Sequence, residues 1–221
     1  MTATAQELAE RLLKLDTCVV SDTLDKLGIA GAVTGLGPMW HCPKIAGPIV
    51  TVKLKPKGEE PPIRHLCTAA VEASKPGDII VIDHGGRDYA AGWGGILSQA
   101  AKVKGVAGVI CDGAIRDLDE SHEIRFPVYA KCAVSITARG RIVEESYNEP
   151  ISIGRVSVKP GDIAFADGSG VVILPGQRAE EIVTAAEAMA VIEAAMTRDV
   201  QAGKSVVEVM GTNYEKMTGV H

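Results

Sequence analysis

The sequence predicts an α/β domain with a mixed core flanked by helices, and three observations support this prediction. Short apolar runs bounded by glycine and proline have the pattern of buried strands. Longer segments repeat apolar residues every three or four positions, as amphipathic helices do. Strands and helices mix along the 221 residues without strict alternation, and no linker or low-complexity segment interrupts them. We therefore predict one domain over residues 1–221.

The N-terminal part is predicted to contain two helices, a strand and a third helix. Residues 5–15 place three leucines on one helical face. Ser21 is the predicted N-cap of the second helix, and Gly28 would terminate it. The run 45–56 has the composition of a strand that closes at a proline. After a proline-containing loop, a helix is predicted over 63–74.

For the middle of the chain, the sequence predicts strands separated by one helix that begins with glycines. A Pro-Gly turn, a buried strand and a glycine-rich loop are predicted over 75–86. The helix follows at 92–105 and leads into an apolar strand at 106–111. Further short strands are predicted at 127–134 and 138–146.

The C-terminal part predicts several strands over 152–175 and a final helix over about 177–202. The helix carries an apolar stripe with steps of four and three residues, and Glu193 interrupts that stripe. An unpaired buried charge is costly, so this carboxylate needs a partner or access to water. Glu193 is either a residue at the stripe's edge that reaches solvent, or a carboxylate delivered to a site, including one in a neighbouring subunit.

Composition excludes several functional classes. The net charge is −5 and aromatic residues make up 4% of the chain, which argues against a nucleic-acid surface. No apolar run approaches the ~20 residues of a membrane span, and the polar start "MTATAQELAERLLKL" lacks the apolar region of a signal peptide. The five cysteines include no C-x-x-C pair, which is typical of reduced thiols. We expect a cytoplasmic protein with no membrane or nucleic-acid partner.

Two segments together predict a site for a small anionic substrate. "GWGGILS" opens a helix, whose first N–H groups bind anions. "DGAIRDLDE" follows the strand 106–111, and ligands collect beyond the carboxyl ends of such strands. There Arg116 could fork onto a carboxylate or an enolate oxygen, and Asp117 could hold a divalent cation. The pattern fits a 2-oxo acid, although on the residues alone a solvated charged loop is the more common explanation.

The chain also resembles the RraA-like family. The resemblance is carried by "GWGGILSQAAKVKGVAGVICDGAIRDLDE", by "SIGRVSVKPGDIAFADGSGVVILP" and by the final helix with its "AGKS" ending. It implies a compact β/β/α swivelling domain that forms homotrimers or homohexamers, with active sites at subunit interfaces. It also implies a Mg²⁺- or Mn²⁺-dependent class II pyruvate aldolase acting on 4-hydroxy-4-methyl-2-oxoglutarate or 4-carboxy-4-hydroxy-2-oxoadipate. Oxaloacetate decarboxylation is the implied second activity.

The resemblance also implies roles for individual residues. Arg116 is similar to the family's pyruvate-binding arginine, and Asp117 is similar to its direct metal ligand. The segment whose backbone amides hold the pyruvyl carboxylate corresponds here to Gly94, Gly95, Ile96 and Leu97. The general base is not identified by any motif.

One position departs from the family pattern. In the aldolases twenty residues separate a carboxylate from the arginine-aspartate pair, and this chain has Gly95 at the position of that carboxylate. Asp88, Asp112 or Glu120 could substitute for the missing group. Glu120 resembles an acidic residue that often follows the pair, and Glu193 lies near where the family takes a supporting glutamate from the adjacent subunit.

Two other residues near these motifs have alternative interpretations. His84 is either a general acid or an ordinary loop histidine, and Trp93 either walls the pocket or packs at an interface. The remaining histidines have no metal-ligand spacing and are expected to be structural or surface groups; they are His41, His65, His122 and His221.

The leading hypothesis is therefore a metal-dependent carbon–carbon lyase that releases pyruvate. The alternative from another class is a non-catalytic RraA-like regulator that binds a ribonuclease or another protein. A related metal-enolate decarboxylase or hydratase is a third hypothesis.

Overall fold

The computed structural model describes residues 3–59, 61–62 and 64–211. The predicted helix start at Ile63 and the terminal His221 lie outside these residues. Its helices are α1 (Ala5–Leu12), α2 (Thr17–Lys26), α3 (Thr68–Ala73), α4 (Gly95–Val103), α5 (Leu118–Glu123), α6 (Ala179–Gln201) and α7 (Val206–Val209). Its strands are β1 (Ala32–Val33), β2 (Gly37–Pro38), β3 (Ile45–Pro56), β4 (Ile79–Arg87), β5 (Gly108–Ile115), β6 (Val128–Ala133), β7 (Ile142–Tyr147), β8 (Ile151–Ile153), β9 (Val156–Val158), β10 (Ile163–Asp167) and β11 (Gly170–Leu174).

The strands form a mixed sheet with a parallel centre. The order is β1-β11-β10-β3-β4-β5-β6-β2, and β7 also pairs with β3. The neighbours β3, β4, β5 and β6 are parallel, and helices α3, α4 and α5 connect them in turn. The outer pairings are antiparallel, and β8 and β9 form a separate hairpin. This arrangement confirms the predicted α/β class with a mixed sheet and flanking helices.

Alternate residues of the central strands belong to different hydrophobic clusters. In β4, Ile80 and Ile82 pack in the cluster beneath α3 and α4, whereas Ile79 and Val81 pack in the cluster beneath the β8–β9 hairpin. Successive side chains of a strand point to opposite faces, so an all-apolar strand is stable only when both faces are covered. A third cluster joins α1, α2 and α6 to β10 and β11.

The predicted boundaries of the first three helices need correction. Asp16, not Ser21, caps α2, because its side chain accepts the Val19 N–H at 2.9 Å. The chain leaves α2 through Gly28, whose φ of +65° suits glycine, as predicted. The first helix ends at Leu12, three residues earlier than the predicted 5–15, and α3 begins only at Thr68.

The strand predicted at 106–111 is longer than expected. β5 runs from Gly108 to Ile115, so the first four residues of "DGAIRDLDE" belong to the strand and not to the loop. The pairing with β6 shifts register between Cys111 and Ala114, and Gly113 there has a φ of +157°. Such an irregularity bends a strand and redirects its end.

The final helix is anchored by its first half. Ile182, Val183, Ala186 and Met189 are buried in α6, whereas the side chains beyond residue 190 are half-buried or exposed. The predicted helix over 177–202 is confirmed, although its first residues form a 3₁₀ turn. Within the described ranges, no helix combines the length and apolarity needed to cross a bilayer.

Candidate active site

The candidate site lies at the carboxyl ends of the parallel neighbours β4 and β5, where the chain continues into α4 and α5. β4 ends at Arg87, a loop leads to α4, and β5 ends immediately before Arg116 and Asp117. The carboxyl ends of adjacent parallel strands meet at one sheet edge, which is where α/β folds bind ligands. The two motifs singled out from sequence therefore meet in space.

The N-terminus of α4 approaches Asp117 closely. Gly95 is the first residue of the helix, and its N–H donates to Asp117 Oδ2 at 2.9 Å. A Cβ added at Gly94 would lie 2.8 Å from that same oxygen. Glycine at position 94 thus lets the aspartate reach the helix end, where a negative charge is favoured.

Arg116 and Asp117 form a partly exposed ion pair. Arg116 Nε lies 3.3 Å from Asp117 Oδ2, and 37% and 36% of the two side chains are exposed. The backbone holds both residues, because the Arg116 N–H donates to the Trp93 carbonyl at 3.1 Å. Asp117 has a left-handed backbone with φ 60° and ψ 45°, a conformation that aspartate tolerates better than most residues.

The carboxylate of Glu120 lies over Gly95. A Cβ at position 95 would overlap Glu120, with Oε1 at 2.9 Å and the other carboxylate atoms closer. Of the three carboxylates that could substitute for the missing one, Glu120 is therefore the one beside this helix end. Asp88 is an exposed loop residue, and Asp112 lies within β5, where it accepts the Gly154 N–H at 3.4 Å.

A buried hydrogen-bond network ties the two helix starts together. Trp93 Nε1 donates to Ser98 Oγ at 2.8 Å, and Ser98 Oγ lies 3.1 Å from Ser121 Oγ. Ser98 belongs to α4 and Ser121 to α5, and both serines are fully buried. Trp93 is also buried, stacks on Phe126 and lines the candidate cavity, which agrees with the prediction that it walls the pocket.

These groups surround a cavity of about 260 Å³. Every predicted substrate-binding residue of the helix start lines it, together with Arg116, Asp117 and Glu120. Sequence reasoning missed part of the wall, which is formed by His65, Leu66, Ala91, Thr137, Ala138 and Arg139. The expectation that His65 is only a surface group is therefore incomplete, because this exposed histidine also lines the cavity.

Two other candidates lie elsewhere in the subunit. Glu193 lines a different cavity with Cys18 and Asp22, and burial raises the pKa of its carboxyl, as do the nearby carboxylates. His84 is fully buried, and its Nε2 lies 2.8 Å from the Ala90 carbonyl. Burial lowers the pKa of His84, and its Nδ1 has no partner within the described ranges. His84 is a core residue and does not line the cavity.

The donor set fits a hard divalent cation that keeps part of its water shell. Asp117 and Glu120 place two carboxylates in the cavity, and oxygen donors suit Mg²⁺ and Mn²⁺. Across the described part of the chain, no cluster of three or more histidine, cysteine or acidic side chains is arranged to hold a metal. Mg²⁺ commonly takes one or two protein carboxylates and completes its shell with water and substrate oxygens, so two are sufficient.

The comparisons with known proteins agree with this architecture. The family model described as RraA-like, Aldolase/RraA, matches residues 17–173. A Halalkalibacterium halodurans protein named "Putative 4-hydroxy-4-methyl-2-oxoglutarate aldolase" is 33% identical over 173 residues, which is 78% of this chain and 79% of that protein. Protein DlpA of Legionella pneumophila is 27% identical over 92% of this chain, but the match spans only 33% of DlpA.

The fold is also similar to that of a solved structure. Streptomyces coelicolor RraAS2, described as an unusual member of the RNase ES inhibitor RraA protein family, superposes with a TM-score of 0.76 at 28% identity. The superposition covers 81% of this chain and 91% of RraAS2. From the family match over residues 17–173, together with the shared fold, we conclude that the chain belongs to the RraA-like family.

Proposed function

We propose that the protein is a divalent-metal-dependent lyase. It would cleave a 4-hydroxy-2-oxo acid, such as 4-hydroxy-4-methyl-2-oxoglutarate or 4-carboxy-4-hydroxy-2-oxoadipate, into pyruvate and a second 2-oxo acid, and decarboxylate oxaloacetate. The observation that supports this most is the convergence of Arg116, Asp117 and Glu120 on the first turn of α4 inside one cavity. The aldolase name of the H. halodurans relative agrees with this proposal.

The first turn of α4 would bind the carboxylate at the pyruvyl end of the substrate. The opening N–H groups of a helix have no carbonyl one turn earlier to accept them, and they attract anions. The Gly95 N–H already donates to Asp117, which leaves those of Ile96 and Leu97 for the substrate. A substrate bound there would have its 2-oxo group toward Arg116, which lines the same cavity.

Arg116 would stabilise the charge that develops during cleavage. A base removes the proton of the 4-hydroxyl, the C3–C4 bond breaks, and its electron pair moves to C3 while negative charge accumulates on the C2 oxygen. The guanidinium can donate two hydrogen bonds to this enolate, and such preorganised donors are a major source of rate enhancement. Protonation of C3 then releases pyruvate.

We propose Glu120 as the carboxylate that accepts the hydroxyl proton, directly or through one water. Asp117 would hold the metal, which when bound supplies Lewis-acid polarisation of the 2-oxo acid, and Glu120 would support the water around it. A general base must come within hydrogen-bonding distance of its proton, and Glu120 lies at the same helix end as the proposed carboxylate site.

We also propose that the protein is a homo-oligomer, a trimer or hexamer, with this site at a subunit interface. Ile96 and Val103 are seven residues apart on one side of α4, and they are 83% and 88% exposed. A neighbouring subunit packed on this side of α4 would cover both residues, and Ile96 also lines the candidate cavity. Multi-angle light scattering of the purified protein measures the assembly size, and a monomer would contradict this part.

The enzymatic proposal is tested by measuring pyruvate formation. The purified protein is incubated with 4-hydroxy-4-methyl-2-oxoglutarate or oxaloacetate and Mg²⁺ or Mn²⁺, and pyruvate is followed by coupled NADH oxidation. We expect turnover that EDTA abolishes and that excess metal restores. No metal-dependent pyruvate above that of the Asp117→Asn variant would contradict the lyase assignment and favour a non-catalytic, regulator-like role.

A further inference from the structure

A second cavity adjoins the candidate active site. It has a volume of about 410 Å³ and lies between the segment preceding α3, the end of β3 and the segment preceding β7. The two cavities share four lining residues: His65, Leu66, Ala138 and Arg139. A ligand bound at the α4 N-terminus therefore has this second space directly beside it.

The charge of the second cavity differs from that of the first. Lys57, Arg64 and Arg139 line it together with His65, and its described lining contains no aspartate or glutamate. In the first cavity, Arg116 is accompanied by Asp117 and Glu120. The adjoining space is therefore suited to a second anionic group, because the Asp117 and Glu120 carboxylates lie in the first cavity.

Arg64 is held in place by the protein. Its Nε lies 3.1 Å from Glu144 Oε1, and only 4% of the Glu144 side chain is exposed. The guanidinium carbon also lies 5.2 Å from the centre of the Tyr147 ring. The second oxygen of Glu144 accepts the Cys67 N–H at 2.8 Å. The ion pair offsets part of the charge of Arg64. This residue therefore shapes the cavity wall and is not the main group that attracts an anion.

Arg139 lies at the boundary between the two cavities. Its segment is attached to the active-site loop, because the Ala91 N–H donates to the Ile136 carbonyl at 3.0 Å. The Arg139 N–H donates to Thr137 Oγ1 at 3.2 Å, which shapes the turn before β7. Its side chain is exposed, and the described residues provide it with no ion-pair partner.

We infer that the basic cavity binds the carboxylate of the substrate farthest from its pyruvyl end, and that Arg139 is a specificity-determining residue. This inference rests on the proposed lyase function. Arg139 would then favour substrates in which the group farthest from the pyruvyl end is a carboxylate. Analogues with a neutral group in that place would lose this interaction.

The test compares reactions that use one or both cavities. Cleavage of 4-hydroxy-4-methyl-2-oxoglutarate uses both. In 4-hydroxy-4-methyl-2-oxopentanoate a methyl group replaces the distal carboxylate, so its cleavage uses only the first cavity. Exchange of the pyruvate methyl protons in D₂O also uses only the first cavity. Steady-state kinetics follow both cleavages, and NMR follows the exchange.

Arg139→Gln should lower kcat/KM for the dicarboxylate at least about 10-fold, mainly through KM, as expected for loss of a charge-assisted hydrogen bond. Pyruvate exchange and cleavage of the neutral analogue should change much less than cleavage of the dicarboxylate. Arg139→Lys should recover part of the loss, and Arg155→Gln, which removes another exposed arginine, should change nothing.

The outcomes separate the two proposals. If the wild type exchanges pyruvate protons but Arg139→Gln cleaves the dicarboxylate normally, or loses both substrates equally, the distal subsite is wrong and the lyase assignment stands. If the wild type neither exchanges nor cleaves, the lyase assignment fails and the subsite fails with it.

Discussion

The carboxylate of Glu120 occupies the space beside Gly95 that a side chain at position 95 would need. Gly95 does not have a positive φ, so its backbone would accept other residues. Glycine is required there because Glu120 reaches across from α5 to α4. In the resembling aldolases a carboxylate stands at the position of Gly95, so the same cavity wall could receive its negative charge from either helix.

The first prediction concerns moving the carboxylate from position 120 to position 95. Glu120→Gly should lower kcat for pyruvate release about 10- to 100-fold, the range found when groups that support a metal site are removed. Gly95→Asp/Glu120→Gly should recover most of that activity, because the new carboxylate enters the vacated space. A double-mutant cycle on kcat, with melting temperatures as the folding control, measures the coupling. Additive losses would contradict the exchange.

The second prediction concerns the charge of Asp117. Asp117→Asn preserves a residue that tolerates the left-handed backbone, so folding should be retained. We expect Mn²⁺ affinity and metal-dependent kcat/KM to fall by more than about 100-fold, beyond the loss typical of groups that only support a ligand. Isothermal titration with Mn²⁺ measures the binding separately from turnover. Unchanged Mn²⁺ affinity would show that Asp117 is not a ligand.

Local sequence patterns predicted the elements that carry the site. The apolar run before Arg116 and the glycines before α4 indicated a strand end and a helix start, and parallel pairing brings these two features to one sheet edge. The capping residue of α2 was assigned wrongly because Asp16 and Ser21 are both good N-cap residues. A start at Asp16 includes Val19 and Val20 in the helix, and both pack in the cluster that joins α2 to β10 and β11.

The remainder of the site depends on contacts between segments distant in sequence. Position 95 lies 25 residues before Glu120, and no local pattern indicates that the second side chain covers the first. Arg139 belongs to a turn before β7 that reaches the cavity through the bond between Ala91 and Ile136. A charged turn residue of this kind has no helical or strand periodicity from which its position could be predicted.

The third prediction concerns a buried carboxylate outside the site. Thr17 Oγ1 donates to Asp167 Oδ1 at 2.7 Å, and the Thr17 N–H donates to Oδ2 at 2.8 Å. Burial alone would raise the pKa of Asp167, but these bonds and one from the Ser169 N–H outweigh it and lower the pKa. The bonds therefore stabilise the fold above the ordinary aspartate pKa of about 3.9, and this stabilisation is lost as the pH falls through the lowered value.

Thr17→Val should lower the free energy of unfolding at pH 7 by about 1–3 kcal/mol, because it leaves a buried carboxylate with one donor fewer. The difference from wild type should shrink once the carboxylate is protonated. Urea unfolding at pH 7 and near pH 3 measures it. Thr23→Val is the matched control, since the buried Thr23 hydroxyl donates to a backbone carbonyl that does not titrate. Equal pH dependence in both variants would rule out the role of Asp167.

The fourth prediction concerns acid sensitivity from His84. Burial lowers the pKa of His84, the charge of Arg87 lowers it further, and the bond to the Ala90 carbonyl does not compensate. The unfolded chain then binds a proton below about pH 6.5 that the folded chain does not, so stability falls as the pH decreases through that value. The slope from this one group approaches about 1.4 kcal/mol per pH unit at most.

His84→Gln keeps an amide that can donate to the Ala90 carbonyl but removes the titration. The free energy of unfolding of this variant should depend less on pH between 7.5 and about 5.5, the interval just around the ordinary histidine pKa. Urea unfolding across the interval compares it with wild type and with His41→Gln, which removes an exposed histidine. The buried imidazole is the source of acid sensitivity only if the slope decreases in the His84 variant and not in the His41 variant.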